Sequence, residues 1–529
     1  MRDLHFPGRS PVYAVNGLCA TSQPLAAEAA IAILRQGGNA VDAAIAASAV
    51  LCVIEPYNTG IGGDCFALLS KKGGGEIIGL NGSGRAPKSL SLEKLRAKGV
   101  EQLSLNSVHS VTIPGAVDAW ARLVEDHGTM ELGRLLEPAI AYAEEGFAVA
   151  PRIAMEWQFL EGHLAHDKDA PRQLLIDGKG PQAGDKFRLP VLAETLRRIA
   201  REGRDGFYKG PVAEDMVAKL QALGGFHELE DFAENAPDYV TTIKTSYRGR
   251  EIHEIPPNGQ GITALLMLNI LSRLDMGRLD PHGAERFHYE MEAARLAYDM
   301  RDKYVADPDF GEVPVDRLLS DGLAGELAAR IDAKSRISDL STLRDPLNRE
   351  TIYLTVVDKD LNAVSFINSL FFGFGSGILA PGSGVMFQNR GSGFVMEEGH
   401  LNCVAGGKRP LHTIIPAMMS EKGKTVMPFG VMGGAYQAVG HAHVVTNMLD
   451  YGMDVQEALD SPRAFPGAEA LDVEKGLSVE TRKRLEARGH KLSEAFLPHG
   501  GGQAIFIDHA RGTMIGGSDP RKDGAAVGY

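Results

Sequence analysis

A threonine at position 351 stands at the start of a predicted β-strand, about two-thirds of the way along the chain, in NRETIYLTVVDKDLNAVSFINS. Its hydroxyl is a weak nucleophile unless a base lies beside it. If the backbone were cut just before Thr351, the new α-amino group would have a pKa near neutrality and could act as that base. One residue would then supply both groups needed to open an amide bond. The ordinary alternative is a threonine that merely begins a strand.

The elements that would position Thr351 follow from the spacing of apolar residues. Two Ala-rich helices are predicted near the start of the chain, the second from about Asn39 to Val53, and the glycine-rich turn GIGGDCFALL then enters a strand. Residues 116–345 are mostly amphipathic helix by period. From residue 351 the pattern changes to strands, beginning with TIYLTVVD and NAVSFIN around a short turn. This order predicts a layered α/β sandwich.

Composition and charge restrict the classes of partner. The chain has 529 residues, too many for one ordinary core, so we expect one very large domain or two closely packed parts. Its net charge is −13 and it contains no block of Lys or Arg, which argues against nucleic acid and anionic membranes as partners. A few arginines in a pocket could still bind a small anion.

Cysteine usage and the first residues bear on location and cofactors. The four cysteines have no metal or redox spacing and are expected to be free thiols. The first residues lack the apolar run of a signal peptide, and no apolar segment reaches membrane-spanning length. We therefore expect a cytoplasmic protein. No cofactor or metal is implied, because no His, Cys or Asp cluster has ligand spacing and no phosphate-binding glycine loop is present.

The chain resembles the γ-glutamyltranspeptidase family in a series of motifs that occur in the family's order along nearly its whole length. The stretch ETIYLTVVDKDLNAV resembles the processing site of that family. Further matches, in chain order, are ATSQPLAAEAAIAILRQGGNAVDAAIAA, GIGGDCFALL, SVTIPGAVDAW, PPNGQGITALLMLNIL, DKYVADPDF, KRPLHTIIPAM, GVMGGAYQAV and GGSDPRKDGAAVGY. The resemblance implies the four-layer αββα fold of N-terminal nucleophile hydrolases. It also implies autocleavage between Glu350 and Thr351, giving a large subunit (1–350) and a small one (351–529) intertwined in one globule.

The resemblance carries catalytic roles to individual positions. Thr351 would attack the amide carbonyl, and Ser369, where the family usually has a second threonine, would orient its hydroxyl. Gly433 and Gly434 match the glycine pair whose backbone N–H groups face the tetrahedral oxyanion, a role that suits glycine because no side chain blocks close approach. In autocleavage the same Thr351 hydroxyl would attack the Glu350 carbonyl, and water would hydrolyse the resulting ester.

Substrate-binding positions depart from the family pattern. Ser83 stands where γ-glutamyl enzymes have a carboxylate-binding arginine, and Gly393 stands where they have an amine-binding aspartate. Phe371 replaces an asparagine or acid, and His412 and Thr413 replace a serine pair. A charged group that loses its buried partner costs several kcal/mol, so a site without the aspartate should bind free γ-glutamyl head groups poorly.

New cations near the predicted pocket suggest a different substrate. Arg85 and Arg390, or one of them with His412, could clamp a carboxylate with two parallel hydrogen bonds. Phe371 and Phe372 would shrink or dry the pocket. Together these residues favour a small acidic amide without an α-amine, as in the branch of the superfamily that includes oxamate amidohydrolase and cephalosporin-acylase-like proteins. The ordinary alternative is that both arginines are solvated or structural.

Several interpretations stay open from the sequence. The leading one is an autoprocessed amidohydrolase of a small anionic amide, with the two subunits as partners of each other and a homodimer as a further possibility. The second is γ-glutamyl transfer or glutathione hydrolysis with altered contacts, and the third is a cephalosporin-type side-chain acylase. An unprocessed, non-catalytic relative with a binding role is the fourth.

Overall fold

The computed structural model describes residues 8–340 and 351–529. The strands within these ranges are β1 (Val12–Ala14), β2 (Gly17–Thr21), β3 (Asp64–Lys71), β4 (Gly74–Gly82), β5 (Phe147–Ala148), β6 (Lys186–Phe187), β7 (Asp238–Thr241), β8 (Ile243–Tyr247), β9 (Arg250–Glu254), β10 (Ile352–Asp358), β11 (Ala363–Ser369), β12 (Leu379–Ala380), β13 (Val385–Met386), β14 (Ala417–Glu421), β15 (Lys424–Met432), β16 (Ala464–Pro466), β17 (Leu471–Val473), β18 (Leu492–Glu494), β19 (Gly501–Asp508), β20 (Thr513–Ser518) and β21 (Ala525–Gly528).

The helices lie mostly before residue 340. They are α1 (Pro24–Arg35), α2 (Ala40–Ile54), α3 (Leu92–Ala97), α4 (Ala116–His127), α5 (Leu132–Glu145), α6 (Pro151–Leu164), α7 (Ala170–Leu174), α8 (Pro190–Glu202), α9 (Asp205–Tyr208), α10 (Gly210–Ala222), α11 (Leu229–Ala233), α12 (Gly261–Leu271), α13 (Ala284–Tyr304), α14 (Val315–Leu318), α15 (Asp321–Ala328), α16 (Tyr436–Leu449), α17 (Val455–Asp460) and α18 (Val479–Glu486). In the described residues no helix is long and apolar enough to cross a membrane.

One large sheet runs in the order β1-β20-β19-β15-β4-β3-β11-β10-β2-β21, with β14, β9 and β8 continuing from β15 and β7 pairing with β4. Strand β15 meets β4 through a single residue pair, Lys424 and Gly74, so the sheet divides there into two halves. The halves face each other: the Tyr353 ring of β10 lies where a side chain of Gly430 in β15 would be. Two facing sheet layers result.

Helices cover both outer faces of the sandwich, and their buried apolar residues belong to two hydrophobic cores. Every residue of α2 is buried, and its start is fixed by a capping box between Asn39 and Asp42. Helices α1 and α2 share one hydrophobic core with Ile352 and Phe366, whereas α12, α13 and α16 share the other with Tyr353. The result is the four-layer αββα sandwich predicted from the sequence.

Strands from the two sides of residues 341–350 interleave in the sheet. Strand β10 lies between β11 and β2, and β11 lies between β10 and β3. The C-terminal β21 closes this half of the sheet on β2. The predicted subunits 1–350 and 351–529 would therefore share one continuous sheet. The division itself stays a prediction, because Glu350 lies outside the described residues.

Candidate active site

Thr351 lies one residue before β10, at the point where β11 ends beside it. Both Thr351 and Ser369 are fully buried. The Thr351 Oγ1 and Ser369 Oγ atoms are 3.1 Å apart, within hydrogen-bond distance. The Phe371 backbone N–H donates to Ser369 Oγ over 2.9 Å, which fixes the serine oxygen in place. The structure thus places the predicted nucleophile and its predicted orienting hydroxyl in direct contact.

The glycine pair forms the turn between β15 and α16. Gly433 has φ +120° and Gly434 has φ +59°, conformations that favour glycine. A Cβ on Gly433 would lie 2.9 Å from the Gly500 Cα, so a side chain has no room there. In the described part of the chain, neither glycine N–H donates to a protein acceptor. Two such N–H groups beside a helix N-terminus suit an oxyanion.

Arg390 is buried at the start of a short 3₁₀ helix, Arg390–Gly393. Its Nη1 donates to Thr413 Oγ1 over 2.8 Å, and its guanidinium carbon lies 4.2 Å from the centre of the Phe371 ring. Within the described ranges, its Nε and Nη2 have no hydrogen-bond partner. These two N–H groups share one edge of the guanidinium plane, the geometry that binds a carboxylate bidentately. Burial lowers the pKa of Arg390 below its usual range.

His412 is held as a neutral imidazole. Its Nε2 lies 2.9 Å from Asp64 Oδ2, and its Nδ1 accepts from the Ile414 backbone N–H over 3.4 Å, so the proton is on Nε2. Burial, and then the nearby Arg390 charge, lower the pKa of His412 to about 3. A neutral His412 cannot attract a carboxylate by charge. Its contacts instead connect Asp64 to the loop that carries Thr413.

Asp64 and Gln260 are site residues that sequence reasoning missed. Gln260 Nε2 donates to the Thr413 carbonyl over 2.7 Å and to the Gly434 carbonyl over 3.0 Å, which ties the Arg390 side of the site to the glycine pair. Asp64 interrupts a run of glycine and apolar residues in GIGGDCFALL, which was the available signal. For Gln260 the signal was weaker, because a buried glutamine between two glycines is usually a turn residue.

Arg85 lies in a different environment from Arg390. Its side chain is 33% exposed and forms ion pairs with Asp309 at 3.2 Å, Asp238 at 3.6 Å and Asp307 at 3.7 Å. Its charge is therefore already matched by protein carboxylates. The structure brings Arg390 together with His412, Thr413 and Phe371. Arg85 is not a second unpaired cation beside them, because its charge is paired elsewhere.

Two predicted departures from the family pattern also have defined places. Ser83 Oγ donates to Asn81 Oδ1 over 2.7 Å, and the Ser83 carbonyl accepts from the buried Arg409 Nε over 3.0 Å. Gly393 lines a cavity of about 250 Å³ beside the Arg390 loop. Ser392, Asn402 and His400 line the same cavity. Among the described residues, no group of three or more His, Cys, Asp and Glu could hold a metal ion.

Comparisons with known proteins identify the family of this chain. The Gamma-glutamyltranspeptidase family profile matches residues 26–529. The glutathione hydrolase-like YwrD proenzyme of Bacillus subtilis (strain 168) is 37% identical over 521 residues, 95% of this chain and 97% of that protein. The oxamate amidohydrolase proenzyme of Klebsiella pneumoniae subsp. pneumoniae is 33% identical over 532 residues, 97% of this chain and 98% of the relative.

A solved structure extends the comparison to the fold. The crystal structure of a cephalosporin acylase from Bacillus halodurans superposes with a TM-score of 0.92 at 41% identity, covering 99% of this chain and 98% of that one. The relatives are hydrolases and acylases, and the two curated ones are proenzymes. This chain is a member of the gamma-glutamyltranspeptidase family, with the N-terminal nucleophile hydrolase fold.

Proposed function

We propose that this protein is an autoprocessed amidohydrolase that cleaves small amides carrying a carboxylate, of which oxamate is the simplest. The observation that carries the proposal is the buried Arg390, whose Nε and Nη2 have no partner among the described residues. A buried guanidinium with two unpaired N–H groups is costly, and a substrate carboxylate would relieve that cost with two charge-assisted hydrogen bonds. The substrate would thus complete the site.

Processing would come first. Thr351 Oγ attacks the Glu350 carbonyl carbon, the peptide C–N bond breaks, and Glu350 becomes an ester on the threonine oxygen. Water then hydrolyses this ester, releasing the Glu350 carboxylate and leaving Thr351 with a free α-amino group. That amine is the base for the following reaction, because its pKa lies near neutrality.

Substrate hydrolysis would use the same atoms. The Thr351 α-amine takes the hydroxyl proton while Oγ attacks the substrate carbonyl, and the N–H groups of Gly433 and Gly434 stabilise the oxyanion. The amine passes its proton to the leaving nitrogen, and the C–N bond breaks to leave an acyl ester. Water activated by the α-amine hydrolyses the ester. Ser369, 3.1 Å from Thr351 Oγ1, holds the hydroxyl in place for each attack.

The contacts around Arg390 join substrate binding to this chemistry. Phe371 donates its backbone N–H to Ser369 Oγ and stacks its ring under the guanidinium. On the other side Arg390 bonds Thr413, whose carbonyl shares Gln260 Nε2 with Gly434. A carboxylate on the free edge of Arg390 is therefore linked through two short contact paths to the nucleophile and to the oxyanion site.

γ-Glutamyl hydrolysis is the second candidate, favoured by the likeness to the YwrD protein, which is named as glutathione hydrolase-like. An α-ammonium group would need a carboxylate, and position 393 is glycine. The buried Asp64 carboxylate already accepts from His412 and from three other N–H groups. Hydrolysis of a cephalosporin side-chain amide, favoured by the likeness to the cephalosporin acylase from Bacillus halodurans, is the third candidate.

The test is a substrate panel on purified protein that a denaturing gel shows as two fragments. Ammonia release is measured with oxamate and with oxamide, its neutral diamide, and p-nitroaniline release with a γ-glutamyl anilide. We expect turnover of oxamate and a strong preference for oxamate over oxamide. Equal turnover of oxamide, or strong turnover of the anilide, would contradict the proposal. A single full-length band would favour the non-catalytic interpretation. A cytoplasmic location and a homodimer stay predictions.

A further inference from the structure

Asp64 lies closer to the reacting atoms than its place in a glycine-rich turn suggests. It is the first residue of β3 and the direct cross-strand partner of Ser369 in β11. Side chains of such partners lie on the same face of a sheet, with Cβ atoms about 4.5–5.5 Å apart. Ser369 in turn contacts the Thr351 hydroxyl. A fully buried carboxylate therefore stands next to the catalytic pair.

The contacts of Asp64 fix both of its carboxylate oxygens in place. Oδ1 accepts from the backbone N–H groups of Gly84 over 2.8 Å and Gly115 over 3.2 Å, and from Gln388 Nε2 over 2.8 Å. Oδ2 accepts from His412 Nε2 over 2.9 Å. Four N–H donors therefore hold this carboxylate in one orientation. Its negative charge also acts on Arg390 and favours the charged guanidinium.

The formal charges of the Arg390, Asp64 and His412 side chains cancel. Arg390 contributes one positive charge, Asp64 one negative charge, and His412 is neutral. Arg409, whose Nε donates to the Ser83 carbonyl over 3.0 Å, pairs with Asp238 at 2.6 Å. One substrate carboxylate bound by Arg390 would satisfy its free edge and bring the sum to one negative charge.

Hydrolysis of such a substrate creates a second carboxylate. The amide C–N bond breaks, the nitrogen leaves with a proton, and the oxygen of water stays on the carbonyl carbon as a carboxylic acid. That acid ionises at neutral pH. A monoanionic amide thus becomes a dianion, and the new charge appears at the carbon that was bonded to Thr351, beside Ser369 and Asp64.

We propose that Asp64 is a positioning residue that disfavours binding of a ligand with a second negative charge. Its carboxylate supplies the counter-charge that keeps Arg390 charged and able to bind one substrate carboxylate. The same carboxylate repels the dicarboxylate product. This role rests on the proposed function, because it requires Arg390 to bind a substrate carboxylate. Removing the unit charge of Asp64 should change binding of the added carboxylate roughly ten- to a hundredfold.

The first experiment uses the processed wild-type protein and two competitive inhibitors of oxamate hydrolysis. Pyruvate has the size and single charge of oxamate, and oxalate is the dianionic product. We expect pyruvate to inhibit with a lower Ki than oxalate. Oxalate binding as tightly as pyruvate, or more tightly, would overturn the role of Asp64 without any variant.

The second experiment measures the same two inhibition constants in Asp64→Asn. The expected result is a Ki for oxalate that falls roughly ten- to a hundredfold relative to that for pyruvate. Asp42→Asn is the matched control. Asp42 lies in α2, is also fully buried, and also accepts hydrogen bonds from backbone N–H groups, those of Asn39 and Thr129. An unchanged ratio in Asp64→Asn, as in Asp42→Asn, would overturn the inference.

These outcomes can be separated from failure of the proposed function. If the wild-type protein hydrolyses oxamate and loses this activity in Arg390→Met, the proposed function stands, and the inhibition ratio alone decides the role of Asp64. If the wild-type protein neither hydrolyses oxamate nor binds pyruvate or oxalate, the carboxylate site itself is wrong. The inference about Asp64 then falls with it.

Discussion

Replacing Arg390 by methionine should impair activity without destabilising the protein. The variant removes two hydrogen bonds to the substrate carboxylate, and hydrogen bonds to charged groups contribute about 1.5–3 kcal/mol each. The expected loss is about 3–5 kcal/mol of transition-state stabilisation, roughly two to four powers of ten in kcat/KM for oxamate. The preference for oxamate over oxamide should disappear at the same time, because the charge that distinguishes them is gone.

Stability should respond in the opposite direction. In the free enzyme Arg390 is buried with one hydrogen bond, to Thr413, and an aromatic contact with Phe371. Replacing a buried charge by an apolar side chain of similar volume is commonly neutral or stabilising. We therefore expect the Tm of Arg390→Met, measured by scanning calorimetry without ligand, to equal or exceed that of the wild-type protein.

Arg85→Met is the matched control. Arg85 is one-third exposed and paired with three carboxylates, so its loss should leave kcat/KM for oxamate little changed and the Tm equal or slightly lower. The assays are steady-state ammonia release with oxamate and oxamide, and calorimetry for each variant. Retention of wild-type kcat/KM by Arg390→Met, or an equal loss in Arg85→Met, would refute the assignment of the anion site to Arg390.

Three further predictions follow from the site. Ser369→Ala should lower kcat roughly ten- to a hundredfold with little change in KM. Ser369→Thr, which keeps a hydroxyl at this position, should have a kcat much closer to that of the wild-type protein. A kcat within twofold of wild type for Ser369→Ala would contradict the orienting role of Ser369. Gly433→Ala should lower both activity and Tm, because its Cβ would meet the Gly500 Cα at 2.9 Å and φ is +120°, so a fully active variant would argue against this turn as the oxyanion site. Burial lowers the pKa of His412 from 6.5 to about 3. Between these two pH values the unfolded chain binds a proton on His412 that the folded chain does not bind. The free energy of unfolding should therefore fall as the pH drops from about 6.5 towards 3. His412→Gln should lose less of its urea midpoint between pH 7 and pH 4.5 than the wild-type protein loses, and an equal loss would contradict the neutral assignment.

The strand pair that presents Thr351 could be predicted because its signals are local. Alternating β-branched and aromatic residues and a short turn define β10 and β11 within one segment of sequence. Farther along the chain, the apolar pattern of HTIIPAMM is typical of a strand that begins near His412, yet β14 begins at Ala417. His412 instead forms an isolated bridge with Gly259, and that pairing depends on a segment about 150 residues away.

The long-range contacts of the site could not be predicted from local patterns. Arg85 and Arg390 are equivalent cations in the sequence, and only the fold shows that three acids surround the first whereas Thr413 is the hydrogen-bond partner of the second. Asp64 meets His412 across 348 residues of chain. Such pairings are set by tertiary packing, which periodicity and composition do not encode.

The central claim is that backbone cleavage before Thr351 creates the catalytic amine. Intact-mass analysis with N-terminal sequencing of active protein tests it most directly, with Thr351→Ala as the control. We predict two fragments, the smaller beginning Thr-Ile-Tyr-Leu, whereas Thr351→Ala stays a single inactive chain of 56.7 kDa. Active protein that lacks this fragment, or a Thr351→Ala variant still cut between residues 350 and 351, would contradict the account.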